Sequence, residues 1–249
     1  MSRRRLDLEL VRRGLVTGRA TAQEVIDAGR VLVGGAPAWK PARLVAPGEA
    51  IVIVGERARF VSRGGEKLDG ALDDFAIDVA GLRVLDAGAS TGGFTDCLLQ
   101  RGAREVVAVD VGRGQLHERI RRDPRVQVLE RVNVRTVTPE RIGGLVDLVV
   151  ADLSFISLSK VSGALVGCLR PRGDLVWLVK PQFEAGRAEA SRGRGVITDE
   201  DVRNAVRERI ENDLRVRGAA MITWTDSRLP GAHGNRELFV RAIVAGGES

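Results

Sequence analysis

Apolar positions recur along the 249-residue chain in two rhythms, helical near the N-terminus and mixed beyond residue 60. Leu6, Leu10 and Val11 fall on one helical face flanked by Leu8, and Gly14 closes that helix. A second helix is predicted over 21–28, with Thr21 as N-cap, Glu24 completing a capping box and Gly29 as the stop. Short strands follow at 31–33 and 50–54, with Gly34-Gly35 supplying turn chemistry between strand segments. From Arg63 onward helices and strands alternate. Strands are predicted to end at Asp86 and Asp110 and to span 126–130, 146–152, 174–180, 219–225 and 237–244. Helices are predicted at 67–75, 158–168 and 199–217, and one between each earlier pair of strands. Such alternation implies an α/β domain: a mostly parallel seven-stranded sheet, Rossmann-like, with helices on both faces and a small α+β domain in front. The polar, basic stretch 57–62 reads as a linker, which divides the chain into 1–56, 57–62 and 63–249.

Glycines change this picture where the strand Leu-Arg-Val-Leu-Asp86 breaks into Ala-Gly88-Ala-Ser90-Thr-Gly92-Gly93-Phe94. Their spacing lets the backbone turn sharply and approach a ligand, while the helix start at 91–94 offers free N–H groups. The next strand ends in Asp110-Val111, an acid placed to accept from both hydroxyls of a ribose. Asp-x-Gly-x-x-x-Gly-Gly lacks the register that seats a pyrophosphate, so S-adenosylmethionine is preferred to a dinucleotide. Asp86, Gly88, Ser90, Gly92, Gly93 and Phe94 are assigned to its methionine end, Asp110 and Val111 to ribose and adenine, and Asn133 to the adenine edge.

Charge is uneven. Residues 1–60 carry eleven Lys/Arg against six Asp/Glu, whereas 61–249 carry twenty-eight against twenty-seven, so nearly all of the +6 lies in front. A compact basic module predicts a polyanion partner, nucleic acid before membrane. Cys97, Cys168, His117 and His233 fit no metal-ligand spacing, so neither a metal nor a disulfide is expected. No apolar run approaches the roughly 20 residues of a bilayer span, and the start Met-Ser-Arg-Arg-Arg lacks a signal core, so a soluble, cytoplasmic protein with no obligate protein partner is expected.

Lysine is scarce, four among thirty-nine basic residues, yet Lys180 follows an apolar strand into the sheet rim one strand after Asp152. Arginine cannot lose a proton at neutral pH, so a rim lysine points to proton chemistry. Lys67 is expected to stand near Lys180 as a second cation, depressing its proton affinity, with Glu237 orienting Lys180 or sharing its proton.

These residues carry a resemblance. Arg5-Leu-Asp, Val25-Ile-Asp-Ala-Gly29-Arg-Val-Leu-Val-Gly34 and Lys40-Pro41 resemble the S-four, or αL, RNA-binding module. That module presents basic side chains to structured RNA, which implies roles here for Arg3, Arg4, Arg5, Arg12, Arg13 and Arg19, with Arg63 beyond the linker; Thr17-Gly18-Arg19 stands where Ser-Arg is usual. Lys67, Asp152, Lys180 and Glu237 match in order the Lys-Asp-Lys-Glu tetrad of FtsJ-type ribose 2'-O-methyltransferases. With Ser-Arg-Gly-Gly-x-Lys-Leu, Ala-Asp-Leu-Ser-Phe-Ile-Ser, Val-Lys-Pro-Gln-Phe-Glu and Gly-Asn-x-Glu, the chain resembles the TlyA (hemolysin A) family over nearly its whole length. The resemblance implies a class I methyltransferase domain that uses S-adenosylmethionine to methylate cytidine ribose 2'-OH in ribosomal RNA, with ribosomal subunits as partners. A non-catalytic ribosome-binding factor and, last, a membrane-active hemolysin are the alternatives. The linker reads Arg57-Ala-Arg-Phe60 where the family often has Arg-Ala-Trp, and the loop 186–196, with Arg187, Arg192 and Arg194, departs from its Gly-Lys-Gly and is a candidate cover for RNA.

Overall fold

The computed structural model describes residues 3–55, 59–185, 196–197, 199–231 and 234–245. Residue 56, residues 57–58 of the linker and 186–195 of the basic loop lie outside this description. The chain forms two compact units, 1–59 and 60–249.

In the first unit a short strand β1 (Arg4–Arg5) leads into α1 (Leu6–Arg12), followed by α2 (Arg19–Asp27), β2 (Val31–Val33), β3 (Ala36–Pro37), β4 (Leu44–Val45) and β5 (Ile51–Ile53). β2 pairs antiparallel with both β3 and β5, and Gly34 and Gly35, both at positive φ, make the two-residue turn between β2 and β3. β1 pairs with β4, a ribbon the apolar pattern did not announce. The second helix starts at Arg19 on Gly18, two residues before the expected Thr21 cap, and no side chain caps it. Its start is drawn forward because Arg19 pairs with Asp7 of α1 at 3.1 Å.

Leu6 and Leu10, from the predicted helical face, are buried in the core of this unit with Ala22, Ile26 and residues of the short strands, Val11 packs against it partly buried, and Asp7 and Glu9 are buried beside them at 1 % exposure. Asp7 accepts a bidentate pair of bonds from Arg5 at 2.9 and 3.0 Å, and Glu9 accepts from Arg12 and Arg13. The Arg5 hydrogen bonds hold Asp7, and the Arg12 hydrogen bonds hold Glu9, down to about 2. Arg13 also donates to the carbonyls of Glu49, Ala46 and Pro47, so it supports the fold of its own unit.

The second unit is the expected open sheet. Its strands are β6 (Arg83–Ala87), β7 (Glu105–Asp110), β8 (Val126–Glu130), β9 (Val146–Ala151), β10 (Leu169–Val179), β11 (Ala219–Asp226) and β12 (Leu238–Val244). The spatial order is β11-β12-β10-β9-β6-β7-β8, with β12 the antiparallel partner of both β10 and β11. Alternate strand residues feed two cores. Leu85, Val107, Val149 and Trp177 face one side with the long helix Glu200–Val216. Val84, Val106, Val150 and Leu178 face the other with the helices α3 (Arg63–Asp74) and α4 (Gly93–Gln100). Strands buried on both faces explain the continuous apolar runs.

Several helices differ in extent from the expectation, α3 longer and the later ones shorter. α3 begins at Arg63 rather than near Lys67. Between β8 and β9 there is only a 3-10 turn, Val134–Thr136, because Pro139 and the positive-φ pair Gly143-Gly144 cut the segment. The expected helix 158–168 breaks into a 3-10 turn at Leu158–Lys160 and a single-turn helix at Ser162–Val166.

Candidate active site

The register brings the rim together. Val109, Ala87, Ala151 and Trp177 are lateral neighbours across β7, β6, β9 and β10, and Val179 faces Leu238 of β12. Asp110, Asp152, Lys180 and Glu237 therefore sit at one edge, and they continue the alternation of the strand residues that face α3 and α4. This parity puts Lys67 of α3 on their side of the sheet.

Two ion pairs result. Lys180 Nζ lies 2.5 Å from Asp152 and donates to Ser154 Oγ at 3.1 Å. Lys67 Nζ lies 2.5 Å from Glu237, whose carboxylate is almost fully buried and packs closely against the backbone of Gly231. The meeting of Lys180 with Asp152 follows the sequence expectation. Glu237, expected to orient Lys180, instead pairs with Lys67, because α3 runs over the end of β12. Lys67 is correspondingly a paired cation.

Beside these pairs lies an open cleft of about 510 Å³ lined by Gly88, Ser90, Asp110, Val111, Asn133 and the segment 152–156. Asp110 accepts from the backbone N–H of Ser90 at 2.8 Å and of Gly112 at 2.6 Å, one bond to each oxygen, which leaves each a lone pair. Asn133 lines the cleft, but its side-chain oxygen accepts from Arg135 N–H at 3.0 Å, the turn role of such a residue. Gly88 has φ +87, and a Cβ there would stand 2.5 Å from the Asp152 carbonyl oxygen, so only glycine brings β6 this close to the rim of β9.

Gly92, Gly93 and Phe94 do not line the cleft. Gly92, at φ +95, starts α4; Gly93 packs under Ser62, and Phe94 is buried against Phe239. Their part is to let α4 close on α3. The sequence reading passed over Thr95, which donates to the fully buried Asp86 at 2.6 Å, and Phe155, 90 % exposed at the mouth of the cleft. The signal for Phe155 lay in Asp-Leu-Ser-Phe, an aromatic placed just past a rim acid. Arg63 is exposed and donates to the Pro230 carbonyl at 3.2 Å.

Burial pushes Asp86 up to about 7 against the Thr95 hydrogen bond, with Asp152 and Asp110 adding to the rise. Its Oδ1 has no donor among the described residues. A folded carboxyl that holds its proton more tightly than the unfolded one costs stability increasingly as pH rises from about 4 to about 7, and constantly above that. Asp86→Asn in the ligand-free protein is therefore expected to gain thermal midpoint relative to the parent across that window and to plateau above it, as scanning fluorimetry would read. A parallel pH dependence of the two proteins would contradict the burial argument.

The family comparisons agree with this geometry. The FtsJ-like methyltransferase profile matches residues 60–243 and the S4 domain profile matches 4–51. The chain is 54% identical over 242 residues, 96% of this chain and 90% of the relative, to a Mycobacterium tuberculosis protein named 16S/23S rRNA (cytidine-2'-O)-methyltransferase TlyA. It is 37% identical to hemolysin A of Brachyspira hyodysenteriae, over 96% of this chain and all of that one. A solved structure of a putative hemolysin from Streptococcus thermophilus superposes with a TM-score of 0.76 at 36% identity, covering 98% of this chain and 90% of that one. Among the described residues no helix is long and apolar enough to cross a membrane. The chain is thus an FtsJ-like methyltransferase of the TlyA family, with an S4 domain ahead of its methyltransferase domain.

Proposed function

We propose that the protein transfers a methyl group from S-adenosylmethionine to the 2'-OH of cytidine in ribosomal RNA, the reaction for which its Mycobacterium tuberculosis relative is named. The observation that carries this reading is the pair of buried-edge ion pairs, Lys180–Asp152 and Lys67–Glu237, beside a cleft that ends at Asp110.

The cleft suits the cofactor. Asp110 keeps acceptor capacity for ribose hydroxyls, the fully buried Asp86 behind the cleft has an Oδ1 with no donor among the described residues, and Gly88 brings β6 closer to the rim of β9 than a side chain would allow. When bound, the cofactor supplies a sulfonium methyl as the electrophile. Lys180, steadied by Asp152 and Ser154, would receive the ribose 2'-OH and steer its proton toward the Asp152 pair and solvent, which readies that oxygen to accept the methyl group. Lys67, fixed by Glu237, adds positive potential to that edge. The acceleration comes from alignment and from stabilising the developing alkoxide. Phe155 offers an exposed ring on which an unstacked base can lie.

The S4 domain is the RNA anchor in this reading, with Arg3, Arg4, Arg5, Arg12 and Arg19 as the exposed or half-exposed cations. The test is incubation of the full chain with methyl-labelled cofactor and unmodified small and large ribosomal subunits, followed by mapping of the label. Label on cytidine ribose is expected. Absence of label from both subunits, with cofactor binding verified by calorimetry, would leave a non-catalytic ribosome-binding factor as the better reading.

A further inference from the structure

Glu184 is a buried carboxylate, 5 % exposed, that the reaction does not use. It ends the one-turn helix Pro181–Glu184 just after β10, and both its oxygens are engaged on the segment that follows β9. Oε1 accepts from Leu158 N–H at 2.7 Å and Oε2 from Ser157 Oγ at 2.7 Å, while Arg209 approaches Oε2 at 3.5 Å and also donates to the Glu184 carbonyl.

Segments 152–158 and 180–184 are thus laced at three levels. At the rim Lys180 holds Asp152 and Ser154. In the middle the Phe155 and Phe183 rings meet with centroids 5.0 Å apart. At the base stands Glu184. Between the first and last levels Phe155 adopts φ +63, a left-handed conformation that an aromatic residue rarely takes, with its side chain 90 % exposed. Such a conformation persists only where the surroundings over-determine it. Asp152 and Ser154 pin the segment on one side of Phe155, and Ser157 and Leu158 pin it on the other through Glu184.

We propose that Glu184 is a positioning residue: by clamping 157–158 to the 180–184 turn, it sets the Lys180–Asp152 pair and the Phe155 face before RNA arrives. This rests on the reading of Lys180 and Asp152 as the methyl-transfer pair. The role is one of hydrogen-bond geometry, not of charge. A glutamine at this position keeps an oxygen for Leu158 N–H and offers an amide N–H to Ser157 Oγ. Arg209 is about half exposed, so water can replace its partner.

The experiment compares the parent, Glu184→Ala, Glu184→Gln, Ser157→Ala and Lys180→Ala by kcat, RNA KM, the pH profile of kcat, cofactor Kd and thermal midpoint. Glu184→Ala is expected to lower kcat about tenfold or more, since small misplacements at a reacting centre are costly, with cofactor Kd shifted far less. Ser157→Ala, which removes one rung, is expected to move kcat the same way by a smaller factor. Glu184→Gln is expected to recover most of the parental kcat with an unmoved pH profile. A Glu184→Gln protein as impaired as Glu184→Ala would overturn the geometric role, and so would unchanged kcat in Glu184→Ala. Parallel loss of kcat, cofactor binding and thermal midpoint in Glu184→Ala would reduce Glu184 to a plain stabilising residue and also overturn it. Parental activity in Lys180→Ala would remove the site assignment itself, whatever Glu184 does.

Discussion

Lys180→Ala is expected to lower the rate of methyl transfer by about 10²–10³-fold, the usual consequence of deleting one preorganised group that meets developing charge. Its binding of S-adenosylmethionine is expected to stay near the parental value. The asymmetry follows from where the atoms lie. The nitrogen of Lys180 is held 2.5 Å from Asp152 and 3.1 Å from Ser154, at the junction of β9 and β10. The acceptors and close backbone suited to the cofactor, Asp110 and Gly88, belong to the rims of β7 and β6. Removing the ammonium leaves Asp152 an unpaired carboxylate at 27% exposure, open enough for water to solvate it, so the fold should survive. Arginine at 180 keeps a charge but not its compact reach, and is expected to rescue little. Single-turnover methyl transfer on ribosomal subunits, beside calorimetric cofactor binding, reads both quantities. Loss of cofactor affinity in step with rate would mean that Lys180 serves binding, and an unchanged rate would move the chemistry to another residue.

The alternation of helical and strand segments beyond residue 63 made the doubly covered sheet legible, and Val84-Leu85, Val106-Val107 and Val149-Val150 are apolar at both positions because both faces of their strands are buried. The strand ends carried the site. Asp110, Asp152, Lys180 and Glu237 could be placed at one sheet edge from strand ends alone. Their pairing could not, since it depends on how α3 crosses the end of β12. The close packing of Gly64 against Phe94 and of Gly65 against Phe60 sets the placement of α3 from which Lys67 reaches Glu237. Helix endings were less legible than strands wherever a tertiary ion pair overrode local propensity, as Arg19 with Asp7 did to the Thr21 cap. Asp7 and Glu9 escaped notice for the same reason. An acid on an N-terminal helix beside arginines reads as a solvated surface charge, and only the fold turns it inward.

Asp7→Asn is expected to weaken RNA binding although it makes a basic domain more basic. Asp7 joins β1 to the start of α2 by accepting from Arg5 and Arg19, whose side chains remain 41% and 62% exposed. Counterion release alone predicts equal or tighter binding when a carboxylate is neutralised beside the cations that meet phosphate. The structure adds a second consideration. An arginine held by a buried carboxylate has surrendered much of its rotamer freedom before RNA arrives, and ordering a free one costs up to about 2 kcal/mol. Releasing two should therefore lower affinity by roughly an order of magnitude, each kcal/mol being a factor of about five. The slope of log K against log salt should barely change, because the same guanidiniums still meet the same phosphates. Arg5→Ala or Arg19→Ala should instead lower that slope by about 0.7–0.9 each. Amide exchange across α1 and α2 at pH 7 checks that Asp7→Asn leaves the domain folded. Glu9→Gln is the contrasting case, because Arg13 also binds the carbonyls at 46, 47 and 49, and its loss of affinity should track loss of exchange protection. Tighter RNA binding by a folded Asp7→Asn protein would show that the domain meets RNA through net charge alone. Weaker binding at constant salt slope would make Asp7 the residue that converts two surface arginines into a preset phosphate fork.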